Sequence, residues 1–128
     1  MNFKSFLNLD TLKVLIIDDE TDICYLLSTL LKQKSFEPQF VNTLSEAEKA
    51  LKAISPKIVF LDNHLPDGLG INFLEHIKQN YPETKVVMIT AHDTADARNF
   101  ALKNGADLFI GKPFTRDMVY SAVDEILN

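Results

Sequence analysis

Short apolar runs alternate with amphipathic segments five times along this chain. The clearest candidate strands are Lys13–Ile17, Ile58–Leu61 and Leu108–Gly111, and weaker ones lie at 38–41 and 85–89. Apolar runs of four or five residues without polar alternation are typical of parallel strands buried on both faces. The second candidate begins with a proline, which is tolerated at an edge of a sheet but not at its centre.

The segments between these strands repeat apolar residues every three or four positions, which is the spacing of a helix with one buried face. Capping residues predict that the second helix begins after Thr43 and the fifth after Thr115, while the fourth is predicted over 93–104. Five strand–helix units predict an α/β fold, a flavodoxin-like doubly wound (βα)5 sandwich. Its five-stranded parallel sheet would have the order 2-1-3-4-5.

Charged residues follow three of the predicted strands. Asp18 and Asp19 come after the first, Asp62 after the third and Lys112 after the fifth. Chemistry collects at the carboxyl ends of parallel strands, so adjacent first and third strands would bring three carboxylates together. Each like-charged pair about 5 Å apart costs about 3 kcal/mol at an effective dielectric near 20. Because one lysine cannot offset this repulsion, we expect a divalent cation with oxygen ligands, and Mg²⁺ suits the site best.

Such a site is suited to phosphoryl transfer. An aspartate beside Mg²⁺ and a lysine is placed to attack phosphorus, and Thr90, at the end of the fourth strand, offers a hydroxyl to the same pocket. Aspartyl phosphates are known covalent intermediates, and positioning with charge stabilisation is the usual catalytic strategy. The sequence contains no glycine-rich nucleotide-binding motif, so the phosphoryl donor must bring its own recognition surface.

Composition restricts the other possibilities. The net charge is -5 over 128 residues, which argues against nucleic-acid binding by this domain. No apolar stretch approaches the length of a membrane span, and the opening residues do not form a signal peptide. The single cysteine, Cys24, lies in a helical pattern, where we expect a small buried or half-buried thiol rather than a nucleophile. We therefore predict a cytoplasmic protein that does not associate with membranes.

Five motifs, in their order and spacing, resemble the receiver domain of two-component response regulators. The resemblance extends from about Leu12 to the C-terminus and predicts an N-terminal extension at 1–11 and a receiver domain at 12–128. The motifs are Ile17-Asp18-Asp19-Glu20, Phe60-Leu61-Asp62 followed by Pro66 and Gly70, Ile89-Thr90-Ala91, Gly105-Ala106-Asp107, and Lys112-Pro113-Phe114.

The resemblance implies a bacterial signalling switch that is phosphorylated on an aspartate. Asp62 would accept a phosphoryl group from a sensor histidine kinase or a phosphotransfer protein. Asp18, Asp19, Asp62 and the backbone carbonyl of His64 would hold Mg²⁺ as the cofactor. The protein would catalyse only its own phosphorylation and dephosphorylation, so it would not be a turnover enzyme.

Further roles implied by the resemblance concern the response to phosphorylation. Lys112 would pair with the phosphoryl oxygens, and Thr90 would move to hydrogen-bond the same group. Phe109 occupies the position of the aromatic switch, and the Lys112–Pro113 bond is expected to be cis. The fourth helix, fifth strand and fifth helix would form the face that binds a partner, an output domain or a second copy.

Two histidines depart from what the motifs specify. His64 and His92 lie two residues after Asp62 and Thr90, where they would flank the entrance to the phosphoryl group. The simpler interpretation is a pair of exposed loop histidines. The sharper hypothesis is that they set the hydrolysis lifetime of the phosphoaspartate, with a dependence on pH.

Three other functions compete with this interpretation. An aspartate-based phosphatase needs an acid two residues after its nucleophile, where this chain has His64. A degenerate receiver would normally have lost Asp19, Asp62 or Lys112, and all three are present. A flavin mononucleotide binder would be hindered by the acidic residues 18–20, which repel phosphate. The sequence leaves open the cognate kinase, the oligomeric state and whether an output domain follows residue 128.

Overall fold

The computed structural model, which describes residues 11–128, contains a five-stranded parallel sheet. Its strands are β1 (Lys13–Ile17), β2 (Glu37–Val41), β3 (Ile58–Leu61), β4 (Lys85–Thr90) and β5 (Leu108–Gly111). They lie in the order β2-β1-β3-β4-β5. This confirms the predicted flavodoxin-like order and places β2 at an edge. Ile17, the last residue of β1, pairs with Leu61 of β3 and with Val41 of β2. The chain therefore leaves β1 and β3 side by side at the same edge of the sheet.

Five helices connect and follow these strands, and capping side chains fix where three of them begin. The Thr43 and Thr115 side chains accept hydrogen bonds from Glu46 N and Met118 N, as predicted. The fourth helix begins two residues later than predicted, because the backbone of Thr94 is extended and its side chain caps the first turn. The helices are α1 (Thr21–Gln33), α2 (Leu44–Ile54), α3 (Gly70–Asn80), α4 (Ala95–Lys103) and α5 (Arg116–Leu127).

The loop between β3 and α3 contains a small hairpin that the sequence indicated only as a dense turn. His64 pairs with Leu69, and Leu65 pairs with Gly68, in an antiparallel ladder. The loop returns against its own start at Gly70, whose N–H donates to Asn63 O at 2.7 Å. A Cβ atom at Gly70 would collide with the carbonyl oxygen of Asp62, so this close approach requires glycine.

The sheet separates two apolar layers. Helices α1 and α5 cover one face, where their core residues are Cys24, Leu27, Leu30, Leu31, Val119, Ala122 and Val123. Helices α2, α3 and α4 cover the other face, with Ala47, Leu51, Leu74, Ile77 and Ala101. Both faces of β1, β3 and β4 are thereby buried, which explains why their sequences are continuously apolar.

One prediction falls on residues that the structure does not describe, and another concerns helices that could cross a membrane. The predicted extension at 1–11 lies outside the described residues except for Thr11. Within residues 11–128, none of the helices has the length and hydropathy needed to cross a bilayer.

Candidate functional site

Asp18 and Asp62 lie next to each other at the carboxyl edge of the sheet. The ladder between β1 and β3 continues one residue further, because Asp62 N donates to Ile17 O at 2.9 Å. Asp18 N likewise donates to Val41 O of β2 at 3.1 Å. Asp18 is fully buried and Asp62 is 4% exposed. Backbone pairing therefore holds both carboxyl groups in one small, largely desolvated pocket, as the sequence predicted.

Lys112 enters this pocket from β5. Its backbone N–H donates to Thr90 O at 2.8 Å, which extends the pairing of β4 with β5 past the last strand residue. Its Nζ lies 2.9 Å from Asp18 Oδ2 and 3.6 Å from Asp62 Oδ1, and the side chain is only 8% exposed. The Lys112–Pro113 bond is cis, as expected.

The acidic cluster contains four carboxylates, one more than the three in the predicted ligand set. Carboxylate oxygens of Asp18, Asp19, Glu20 and Asp62 all lie within 4.8 Å of one another. Glu20 was not predicted as a site residue, yet its Oε1 accepts a hydrogen bond from Lys112 Nζ at 2.9 Å. Three consecutive acids after a buried strand were the available signal, but the direction of the third side chain depends on how α1 begins.

The proton affinities of these groups reflect their burial. Desolvation, followed by the charge of Asp18, raises the pKa of Asp62 to about 6. Desolvation also raises the pKa of Asp18, although Lys112 and the Glu20 N–H oppose it. Burial acts to lower the pKa of Lys112, but its contacts with Asp18 and Glu20 outweigh burial and hold that pKa above the ordinary value. One ammonium thus leaves the clustered carboxylates incompletely compensated.

The donor set fits a hard divalent cation. Asp18 Oδ2 is buried and, apart from its ion pair with Lys112, accepts no well-oriented hydrogen bond from the described residues. All candidate ligand atoms in the cluster are carboxylate oxygens, which Mg²⁺ prefers over nitrogen or sulfur. Asp19 and Glu20 are exposed, so the cluster opens to solvent on one side. A cation could therefore enter without rearrangement of the core.

Thr90 and Phe109 lie on the neighbouring side of the pocket. Thr90 is 3% exposed, and its Oγ1 accepts a hydrogen bond from His92 N at 3.3 Å. Phe109 is 9% exposed, and the Arg98 guanidinium lies 4.9 Å from its ring centroid. Thr90 and Phe109 line a common cavity of about 80 Å³. The structure therefore brings together the two residues that the resemblance paired.

The remaining sequence candidates occupy simpler environments. His64 and His92 are both exposed, and His92 also borders the small cavity beside Thr90. Cys24 is fully buried, as predicted, and burial raises the pKa of its thiol to about 12. Such a thiol is protonated at neutral pH and is not a nucleophile.

Comparison with known proteins identifies what this arrangement is similar to. Residues 14–124 match the family model described as the response regulator receiver domain. The response regulator protein PilR of Pseudomonas aeruginosa is 38% identical over 101 residues, which are 79% of this chain and 23% of PilR. The chain thus spans about a quarter of the length of that relative.

Solved structures give the same result. The signal receiver domain of a LuxO repressor protein from Vibrio parahaemolyticus is 29% identical, with a TM-score of 0.87, and the match covers 92% of this chain and 91% of that one. The beryllofluoride-activated NtrC4 receiver domain dimer is 37% identical, with a TM-score of 0.84 and coverage of 89% and 94%. The fold is therefore shared with receiver domains.

Proposed function

The chain belongs to the response regulator receiver domain family, and we propose that Asp62 is the residue at which it is phosphorylated. The donor is a sensor histidine kinase or a phosphotransfer protein of a two-component system. The observation that carries this proposal is the position of Asp62, whose carboxylate lies in a pocket with Asp18 and with Lys112 Nζ, 3.6 Å away. A phosphoryl group on Asp62 would place its negative charge beside the buried ammonium of Lys112.

The transfer follows from the arrangement of these side chains. An ionised oxygen of Asp62 attacks phosphorus, the bond from phosphorus to the donor nitrogen breaks, and the nitrogen leaves with the bonding electrons and takes up a proton. Lys112 pairs with an oxygen of the transferred group, and the hydrogen bond from its backbone N–H to Thr90 O fixes where its side chain begins, which lowers the cost of orienting it. The Thr90 hydroxyl donates to a second phosphoryl oxygen.

We further propose that Asp18, Asp19, Asp62 and the backbone carbonyl of His64 hold Mg²⁺. The bound ion supplies positive charge that favours ionised carboxylates and offsets the charge on the phosphoryl oxygens. The support is chemical. The cluster provides carboxylate oxygens as ligands, and the single ammonium of Lys112 balances only part of their negative charge. Glu20 competes for Lys112 and would release it when a phosphoryl oxygen arrives.

Phosphorylation is proposed to act on the face formed by α4, β5 and α5. Movement of Thr90 towards the phosphoryl group would enlarge the cavity that it shares with Phe109. The Phe109 ring, which is already only 9% exposed, would shift into that space and change the outer surface. The helices of that face expose large apolar side chains suited to a partner, an output domain or a second copy. The three with the highest exposed fractions are Phe100, Leu102 and Met118. The phosphoryl group can shift this equilibrium only through its different contacts in the two states.

The proposed role is signalling in the cytoplasm without catalytic turnover. A phosphatase of the aspartate class would need an acid where this chain has His64, and nothing among the described residues forms a cap over the pocket. Sustained hydrolysis of small phosphate esters would favour that enzyme instead. A receiver domain would consume at most one phosphodonor for each lifetime of its aspartyl phosphate.

Incubation with acetyl phosphate and Mg²⁺, followed by intact mass measurement, tests the proposal. We expect the wild-type chain to gain the mass of one phosphoryl group and the Asp62→Asn variant to gain none. Asp117→Asn is a matched control, because its side chain is 86% exposed on α5. Modification of Asp62→Asn, or none of the wild type under conditions where Mg²⁺ binds, would contradict the assignment of Asp62.

A further inference from the structure

The backbone carbonyl of Asp18 has an arrangement that the phosphorylation chemistry alone does not explain. Asp18 follows the last residue of β1, where the chain turns out of the sheet towards α1. Its carbonyl oxygen accepts a hydrogen bond from Asn42 Nδ2 at 2.8 Å and another from Cys24 Sγ at 3.2 Å. Two side chains, one from α1 and one from the turn before α2, thus converge on the peptide group that links Asp18 to Asp19.

Asn42 is itself firmly held. It lies between the end of β2 and the Thr43 cap of α2, and its backbone N–H donates to Glu46 Oε1 at 3.2 Å. The same turn of α2 binds the loop that follows Asp62. There the Asp67 carboxylate accepts hydrogen bonds from Leu44 N at 2.8 Å and from Ser45 N at 3.0 Å.

The start of α2 therefore contacts both loops that carry the acidic residues. Asn42 reaches the loop after β1, and the first N–H groups of the helix hold the loop after β3 through Asp67. We infer that Asn42 is a positioning residue for the metal-binding carboxylates: by fixing the peptide between Asp18 and Asp19, it aims both side chains into the pocket. This inference rests on the proposed Mg²⁺ site of the preceding section.

The choice of residue types agrees with this role. The amide of Asn42 provides a strong neutral donor, so it orients the carbonyl without adding charge to a cluster that already contains four carboxylates. The Cys24 thiol is a weaker donor and is fully buried. Without Asn42, the carbonyl would retain only this weak bond, and the peptide between Asp18 and Asp19 could rotate. Outer partners that orient metal ligands typically contribute tenfold or more to affinity.

Titration calorimetry of the full chain with MgCl₂ tests the inference. We expect Asn42→Ala to weaken Mg²⁺ binding by about tenfold. Asn80→Ala is the matched control, because it removes the same kind of bond, from Asn80 Nδ2 to His76 O at 2.9 Å, on the exposed side of α3. Its Mg²⁺ affinity should equal that of the wild type. Cys24→Ser, which keeps a donor, should bind Mg²⁺ within about twofold of the wild type, and Cys24→Ala should bind more weakly than Cys24→Ser.

A second measurement, on the metal-free protein, separates positioning from general stabilisation. NMR relaxation of the Asp19 amide nitrogen should show more backbone motion in Asn42→Ala than in the wild type. Asn80→Ala should show no such increase. If both variants lower the melting temperature alike while Asn42→Ala keeps the wild-type Mg²⁺ affinity and Asp19 relaxation, Asn42 is only structural and the inference is wrong. If the wild-type chain binds no Mg²⁺, the proposed metal site fails and the inference fails with it. Phosphorylation of the wild type together with unchanged Mg²⁺ binding by Asn42→Ala would refute the inference alone.

Discussion

Replacing Asp62 by asparagine should stabilise the metal-free protein at neutral pH, although it removes the proposed phosphorylation site. Burial and the charge of Asp18 raise the pKa of Asp62 from 3.8 to about 6. The folded state therefore favours the protonated acid, and ionising this group in the fold costs free energy. Asparagine has nearly the same shape and never ionises, so the variant avoids that cost.

The size of the effect follows from the change in proton affinity. Each tenfold change is worth about 1.4 kcal/mol, so a pKa moved from 3.8 to about 6 corresponds to about 3 kcal/mol at pH 7.5. Because the folded pKa is raised, the stability that Asp62 contributes as a neutral acid is present below about pH 4 and is lost as pH rises through 6. The advantage of Asp62→Asn should grow across that same window and then level off.

Urea unfolding followed by circular dichroism, in EDTA at several pH values from 4 to 7.5, measures this difference. The control is Asp117→Asn, whose exposed side chain should leave the free energy of unfolding almost unchanged. Added Mg²⁺ should stabilise the wild type more than Asp62→Asn, because it favours the ionised carboxylate. The reasoning is refuted if Asp62→Asn is no more stable than the wild type at pH 7.5, or if its advantage is the same at pH 4.

Three further predictions concern the loops around the pocket. Gly70→Ala should lower the free energy of unfolding by about 1–3 kcal/mol and slow phosphorylation, since the new methyl group must displace the Asp62 carbonyl; urea unfolding and mass measurement check both effects. His64→Ala and His92→Ala should each change the lifetime of the aspartyl phosphate, and unchanged decay would end that hypothesis. Asp67→Ala should lower the melting temperature at neutral pH, because hydrogen bonds from Leu44 N and Ser45 N hold the pKa of Asp67 below its ordinary value. The loss should shrink as the pH falls through that lowered pKa, and an equal loss in neutral and in strongly acidic solution would contradict the reasoning.

The sequence predicted the sheet well because burial acts directly on it. A strand covered on both faces must be continuously apolar, so β1, β3 and β5 were visible as runs, and the charged residue after each was visible as a break. Thr43 and Thr115 identified helix starts because capping is a local interaction. The start of the fourth helix was predicted two residues too early, because the cap at Thr94 depends on the extended backbone that follows β4.

The site was less completely predictable, since its details depend on contacts between distant residues. The strand ends gave Asp18, Asp62 and Lys112, which the structure brings together. The contact of Glu20 with Lys112 spans 92 positions, and that of Asn42 with Asp18 spans 24. The run of three acids was the only local signal for Glu20, and no local pattern marks Asn42 as part of the pocket. Both contacts depend on the direction in which a turn leaves the sheet.

The distribution of helices over the two faces of the sheet also determines the order in which the molecule can be completed during synthesis. Along the sequence, α2, α3 and α4 all come between β1 and β5. Most of their layer can therefore assemble while the ribosome is still translating. The opposite layer joins α1 to α5, and the Tyr120 hydroxyl donates to Leu30 O at 3.0 Å across that junction. Until α5 emerges from the exit tunnel, the apolar side of α1 is covered by the sheet but not by α5. A nascent chain stalled before residue 116 would present the uncovered part to chaperones.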